Sequence, residues 1–155
     1  MFDSSRTEQI LGKEAVQKLK TKKIILFGLG GVGGQAAEAL CRSGIGSMTL
    51  VDGDVVSESN LNRQIAALHS TLGKKKADVL KDRFHDINPD AEFVSLPLFY
   101  DEKTADLDLS AFDYVIDAID TVSSKLLLIE KAKKAGVPII SCMGAGNKRN
   151  PALFR

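Results

Sequence analysis

A glycine-rich turn, GLGGVG from Gly28 to Gly33, is followed along the chain by Asp52, Asn60, Arg63, Gln64 and Lys76. Together these residue types suit a nucleoside polyphosphate whose phosphates take part in chemistry. The glycines match G-x-G-x-x-G at Gly28, Gly30 and Gly33. The first permits a tight turn, the second lets a phosphate approach the backbone, and the third lets helix and strand pack closely. The start of the helix then offers free N–H groups to an anion. Asp52 follows at about the 20-residue distance at which dinucleotide folds place an acid on the ribose hydroxyls. Up to this point an NAD(P)-dependent oxidoreductase and an ATP-dependent enzyme are indistinguishable. Asp54 either touches the nucleotide or closes the turn after Asp52.

The cations separate the two readings. An NAD site holds its pyrophosphate on backbone amides. Splitting ATP between the α- and β-phosphates instead builds charge on a departing pyrophosphate. Arginine answers that charge with a planar fork of donors and lysine with a point charge. Such pre-placed donors often supply the largest part of the rate enhancement. Asn60 and Arg63, at i and i+3, are predicted to share one face of a short helical turn aimed at the C-terminal edge of the sheet. Lys76 opens the next helix near that edge, unless it is one more solvated member of the Lys74–Lys76 run. Asp120 ends the tract DAID. A carboxylate there either carries Mg²⁺ against phosphate oxygens or caps the following helix.

The apolar pattern supplies the elements that must position these groups. Two short helices, broken at Gly12, precede a continuous apolar run from Ile24 to Phe27, the pattern of a buried parallel strand. A helix is predicted from Val32 to Arg42, stopping at Gly44, and a second strand from Met48 to Val51. Residues 53–72 are polar and irregular, with one helical turn around Asn62. An amphipathic helix over Lys75–Ile87 presents Val79, Leu80, Phe84 and Ile87 on one face. Strands at Phe93–Leu96 and Tyr114–Ile116, a helix over Ser123–Ala135 and a strand at Val137–Ser141 complete the alternation. The fold class is therefore α/β, a Rossmann-like, mostly parallel sheet with helices on both faces and right-handed crossovers. One nucleotide-binding domain is expected over residues 1–155. The final tract ALFR could open a sixth strand with nothing to follow it, so the sheet is expected to be incomplete at the C-terminus.

Composition narrows the function classes. With 155 residues, 44% hydrophobic and 26% charged, the chain is that of a soluble domain with a real core. A net charge of +1 gives no global polycation for nucleic acid. Cys41 and Cys142 show neither metal nor disulfide spacing and read as buried thiols. No secretory leader and no apolar run of membrane-helix length is present in this sequence, and the cytoplasm is the expected location. His69 reads as a loop-packing residue and His85 as a surface residue. Lys131, Lys133 and Lys134 form an exposed helical face. Asn147 and Lys148 are placed in a loop at the ligand edge, within reach of a substrate.

These residues together resemble the ubiquitin-activating-enzyme-like superfamily of MoeB, ThiF, HesA and their relatives, from Arg6 to about Phe154. The resemblance implies that the glycine turn holds ATP and that Asp52 binds the ribose. It further implies that Asn60, Arg63, Gln64 and Lys76 contact phosphates and that Asp120 sits by the magnesium. Arg6, in SSRTEQI, matches an arginine that reaches into the neighbouring subunit's site, which implies a homodimer. The tracts SRTEQILGKEAVQKLK, ALHSTLGKKKADV, DAIDTVSSKL and SCMGAGNKRNP are similar to the family of tRNA threonylcarbamoyladenosine dehydratases. Thr121 stands after Asp120 where MoeB-like proteins carry asparagine. The implied activity is ATP-dependent adenylation of the carboxyl group of threonylcarbamoyladenosine in tRNA, with loss of water closing a ring. A sulfur-transfer partner protein is also implied. The same chemistry on the C-terminal glycine of a ubiquitin-like sulfur carrier is the alternative. A non-catalytic nucleotide-binding fragment is another. Members of the family run on past this length, so the chain is expected to be the N-terminal part of a longer architecture and to hold the ATP half-site without the full tRNA surface.

Overall fold

The computed structural model describes residues 2–143. Helices α1 (Ser5–Leu11) and α2 (Lys13–Lys20) are separated by Gly12, whose φ of 84° breaks the helix as the sequence predicts. Then follow β1 (Lys23–Phe27), α3 (Gly33–Ser43), β2 (Ser47–Val51), α4 (Lys76–Ile87), β3 (Glu92–Leu96), β4 (Tyr114–Asp117), α5 (Val122–Ala135) and β5 (Ile139–Ser141). The strands form one parallel sheet in the order β3-β2-β1-β4-β5. The chain reverses direction across the sheet between β1 and β4, the switch point at which open α/β sheets bind ligands.

Side-chain alternation along β1 builds both layers. Ile24 and Leu26 pack with Met48 and Leu50 against Ala37 and Cys41 of α3 and Leu80 and Phe84 of α4. Ile25 and Phe27 point the other way, joining Val51 and Val115 under Leu128 and Ala132 of α5. A strand covered on both faces has no polar side to show, which is why β1 reads as an unbroken apolar run. Cys41 is fully buried, and burial pushes its thiol up to about 11. Gly44 and Gly136 close α3 and α5 in the left-handed conformation.

Most element bounds shift by a residue from those expected, an ordinary difference at element ends. The last strand is shorter than predicted and starts at Ile139. Pro138 has no N–H for the ladder, although its carbonyl accepts from the Val115 amide at 2.9 Å. The irregular stretch after β2 contains two 3₁₀ turns, Glu58–Asn60 and His69–Thr71. The tract ALFR, Asn147 and Lys148 lie outside the described residues. Among the described residues no helix is long and apolar enough to cross a membrane.

Candidate functional site

A cleft of about 670 Å³ opens at the C-terminal ends of β1, β2 and β4. Its floor is the glycine turn. Gly28 has a φ of 86°, and a Cβ there would lie 2.5 Å from the Ala118 carbonyl oxygen. A Cβ on Gly33 would meet the Gly28 carbonyl oxygen at 1.7 Å. Both positions are thus closed to other residues by the protein's own packing. Gly30 differs: the nearest atom to its Cβ would be Gln64 Nε2 at 3.8 Å. Nothing in the fold forbids a side chain at Gly30, so the open space there serves whatever enters the cleft.

Asp52, half-buried at the end of β2, joins this floor to the next loop. Its Oδ2 accepts the Leu29 N–H at 2.6 Å and its Oδ1 accepts the Asp54 N–H at 2.8 Å. Each oxygen keeps further acceptor capacity for a ligand hydroxyl. Asp54 has an exposed carboxylate and holds the buried Lys76 Nζ at 2.9 Å. Lys75 turns in beside it, donating to the Gly53 carbonyl at 2.7 Å. The lysine run is therefore not a solvated face: two of its members fold back onto the β2 loop. Lys76 does not itself line the cleft and stands behind Asp54.

Arg63 is exposed and lines the cleft beside the turn, with its Cγ 3.7 Å from where a Gly31 Cβ would lie. Its Nη1 donates to the Ser59 carbonyl at 2.7 Å and to Asn62 Oδ1 at 2.9 Å. Asn60 does not line the cleft beside Arg63. It is buried, and its Oδ1 accepts the Ser57 N–H at 3.1 Å, so the amide is engaged in shaping its own turn. Gln64 lines the cleft at 8% exposure, and its Oε1 has no hydrogen-bond partner. Arg6 lies on the exposed side of α1, away from the cleft of its own chain. His69 and His85 are exposed and do not line the cleft.

Across the cleft, Asp120 is exposed at the mouth. The alternative use of this acid as a helix cap fails, because Thr121 occupies the cap position of α5. Its carboxylate is touched by the Thr121 hydroxyl at 3.4 Å and otherwise faces the opening. Among the described residues no cluster of three or more histidine, cysteine or acidic side chains could hold a metal. A lone carboxylate fits a magnesium ion carried mainly by phosphates and water, the usual arrangement for that ion.

Two features of the site were not foreseen. Leu98, Phe99 and Tyr100, after β3, make a side wall. Gly53 permits it, since a Cβ there would meet the Phe99 ring at 2.5 Å. The Tyr100 ring packs edge-on to Phe27 at 4.8 Å, and its buried hydroxyl has no partner. Beneath the opposite wall, the Lys125 Nζ lies 2.8 Å from Asp117 Oδ2, with side-chain exposures of 6% and 0%. The signals available were an acid closing an apolar strand and a lysine on an inward helix position.

A family model described as the ThiF family matches residues 3–154. The chain is 47% identical over 152 residues to the tRNA threonylcarbamoyladenosine dehydratase of Bacillus subtilis (strain 168), covering 97% of this chain and 60% of that protein. It is 33% identical over 141 residues to the adenylyltransferase and sulfurtransferase UBA4 of Vanderwaltozyma polyspora, covering 91% of this chain and 32% of that protein. The crystal structure of Escherichia coli tRNA N6-threonylcarbamoyladenosine dehydratase, TcdA, in complex with ATP matches with a TM-score of 0.92 at 38% identity. That match covers 96% of this chain and 62% of that one. The chain thus spans about 60% of the length of the first of these relatives.

Proposed function

The chain belongs to the ThiF family, and from that premise we propose that it binds ATP in the cleft between β1 and β4 and adenylates a carboxylate. The acceptor is the carboxyl group of threonylcarbamoyladenosine in tRNA. One observation carries the ATP reading over a dinucleotide one: exposed Arg63 lines the cleft beside the glycine turn. The likeness to dehydratases, one of them solved with ATP, supports the choice of nucleotide and substrate.

In this reading the turn around Gly30 and the start of α3 cradle the phosphates, and Asp52 accepts the ribose hydroxyls. A carboxylate oxygen of the substrate attacks the α-phosphorus while the bond to the β-phosphate oxygen breaks, giving an acyl-adenylate and pyrophosphate. Arg63 meets the charge that builds on the leaving group. Lys76 joins it by moving from Asp54 to the phosphates, for which the Asp54 carboxylate competes. Gln64, with an unpartnered Oε1, orients phosphates or their water. Asn60 supports the same turn from below. A nucleophile of the same modified nucleoside then displaces AMP and closes the ring, for a net loss of water. Asp120 would hold Mg²⁺, which supplies charge neutralisation at the phosphates.

Arg6 does not reach the cleft of its own chain, so its proposed role is in the site of a second copy, in a homodimer. With a tRNA substrate the proposed location is the cytoplasm, and a sulfur-transfer partner is proposed on family resemblance alone. The test is release of AMP and pyrophosphate by the full-length chain with two candidate acceptors, beside a comparison of ATP–Mg²⁺ and NADH binding. Release with threonylcarbamoylated tRNA supports the proposal. Release only with a ubiquitin-like carrier protein moves it to the chemistry suggested by the UBA4 likeness. Tighter binding of NADH than of ATP–Mg²⁺ sinks it. Arg63→Ala and Lys76→Ala should each lower turnover by about 10²-fold, the scale of losing one charge-stabilising donor.

A further inference from the structure

Asp117, Lys125 and Ser141 come from β4, α5 and β5 and meet below the cleft. The Lys125 ammonium donates to Asp117 Oδ2 at 2.8 Å, to Ser141 Oγ at 3.3 Å and to the Cys142 carbonyl at 2.9 Å. Its three donors are thereby all used. The Ser141 hydroxyl in turn donates to Asp117 Oδ2. The other oxygen, Asp117 Oδ1, accepts the Ile119 N–H at 3.0 Å, which fixes the bend that carries Asp120. Ala118, between them, donates its N–H to the Phe27 carbonyl at 2.8 Å and sets its own carbonyl against Gly28. The acid wall and the glycine floor are therefore joined by one continuous set of hydrogen bonds and packing contacts that includes a buried cation.

Stability alone does not account for this arrangement. A buried ion pair is commonly replaced by apolar residues of similar volume without loss of stability. What an apolar pair lacks is direction: it cannot hold the Ile119 amide or the Cys142 carbonyl at a set place. We propose that Lys125, with Asp117 and Ser141, is a positioning device that fixes where Asp120 stands against the nucleotide and its magnesium. The inference rests on the ATP reading above.

The test uses the full-length chain and the double variant Asp117→Leu/Lys125→Met, with ATP affinity measured by calorimetry with and without Mg²⁺, beside thermal unfolding. The melting temperature should fall by only a few degrees, the cost of the hydrogen bonds left unmade at Ser141 Oγ, the Cys142 carbonyl and the Ile119 amide. The gain in ATP affinity on adding Mg²⁺ should fall about tenfold, the lower end for loss of groups that orient a metal ligand. Asp120→Asn should give the same loss, and combining it with the double variant should add nothing further, as for residues acting through one another. Additive losses, or an unchanged Mg²⁺ effect in the double variant, overturn the proposal. Should the double variant fail to fold, Ser141→Ala decides: a smaller loss that vanishes in the Asp120→Asn background supports it, and no loss overturns it. A wild-type protein that binds no ATP sinks the ATP reading and this inference together. A wild type that binds ATP beside an unaffected variant sinks this inference alone.

Discussion

The ends of β2 and β4 use one device in two opposite ways. Each strand closes on an aspartate, Asp52 or Asp117, whose carboxylate accepts the N–H two residues on, from Asp54 or Ile119. Each is followed by a second acid, Asp54 or Asp120, and each receives a lysine from the helix that comes next. At β2 the lysine, Lys76, takes the second acid and leaves Asp52 facing the cleft. At β4 the lysine, Lys125, takes the first acid and leaves Asp120 facing it. The exchange decides which carboxylate meets a ligand. It also decides cost, because Asp54 is 54% exposed in its side chain whereas Asp117 is fully buried.

The largest effect should come from breaking the buried arm. Lys125→Met alone strands the Asp117 charge inside the protein, and such an uncompensated charge costs about 3–5 kcal/mol. Urea unfolding measures it, and a loss below that of Asp54→Asn would erase the contrast between the two arms. Next comes the acid left free at β2. Asp52→Ala removes a charged hydrogen-bonding group worth about 1.5–3 kcal/mol, so the KM for ATP should rise by about tenfold or more in steady-state assays. The pair at β2 is weaker, because Asp54 is exposed although Lys76 is buried, and asparagine keeps an oxygen that can accept from the lysine. Asp54→Asn should cost about 1.5 kcal/mol, the lower end for a hydrogen bond to a charged group. The smallest effect concerns the two thiols. Cys142 lines the cleft and is partly exposed, so bound ATP should slow its alkylation at pH 8. Cys41 is fully buried, its thiol pushed up to about 11, and should stay unlabelled with or without nucleotide until the protein unfolds. Peptide mapping after iodoacetamide treatment reads both.

The β2 arm was far more legible in the sequence than the β4 arm. The glycine turn, Asp52 and the strand alternation are local patterns, and each carries its meaning within a few residues. The use of each glycine was also readable: Gly28 and Gly33 are closed by packing and Gly30 is open. Lys76 was ambiguous because a run of three lysines gives no sign of which one turns inward. Spacing within a turn does not reveal that the Asn60 side chain is buried and engaged by the Ser57 amide. Asp117, Lys125 and Ser141 could not be assembled from sequence at all. They sit in three elements, and only the packing of α5 on β4 and β5 brings the ammonium to the acid. Sequence alone leaves Asp120 between cap and ligand, and only the helix start at Val122, with Thr121 in the cap position, separates the two.

The register that pairs Phe27 with Asp117 has a kinetic meaning. β1 joins β2 through one short crossover, yet it joins β4 across some 90 residues, as in the contact between Lys23 and Asp113. Contacts so far apart along the chain cost more loop-closure entropy than those between β1 and β2, which favours their forming later. The β1–α3–β2 unit can therefore condense first, glycine turn included, while half of the cleft is still missing. Nucleotide capture would then be among the last events of refolding. Followed in real time, it would lag the recovery of helical signal and mark the moment at which β4 docks beside β1.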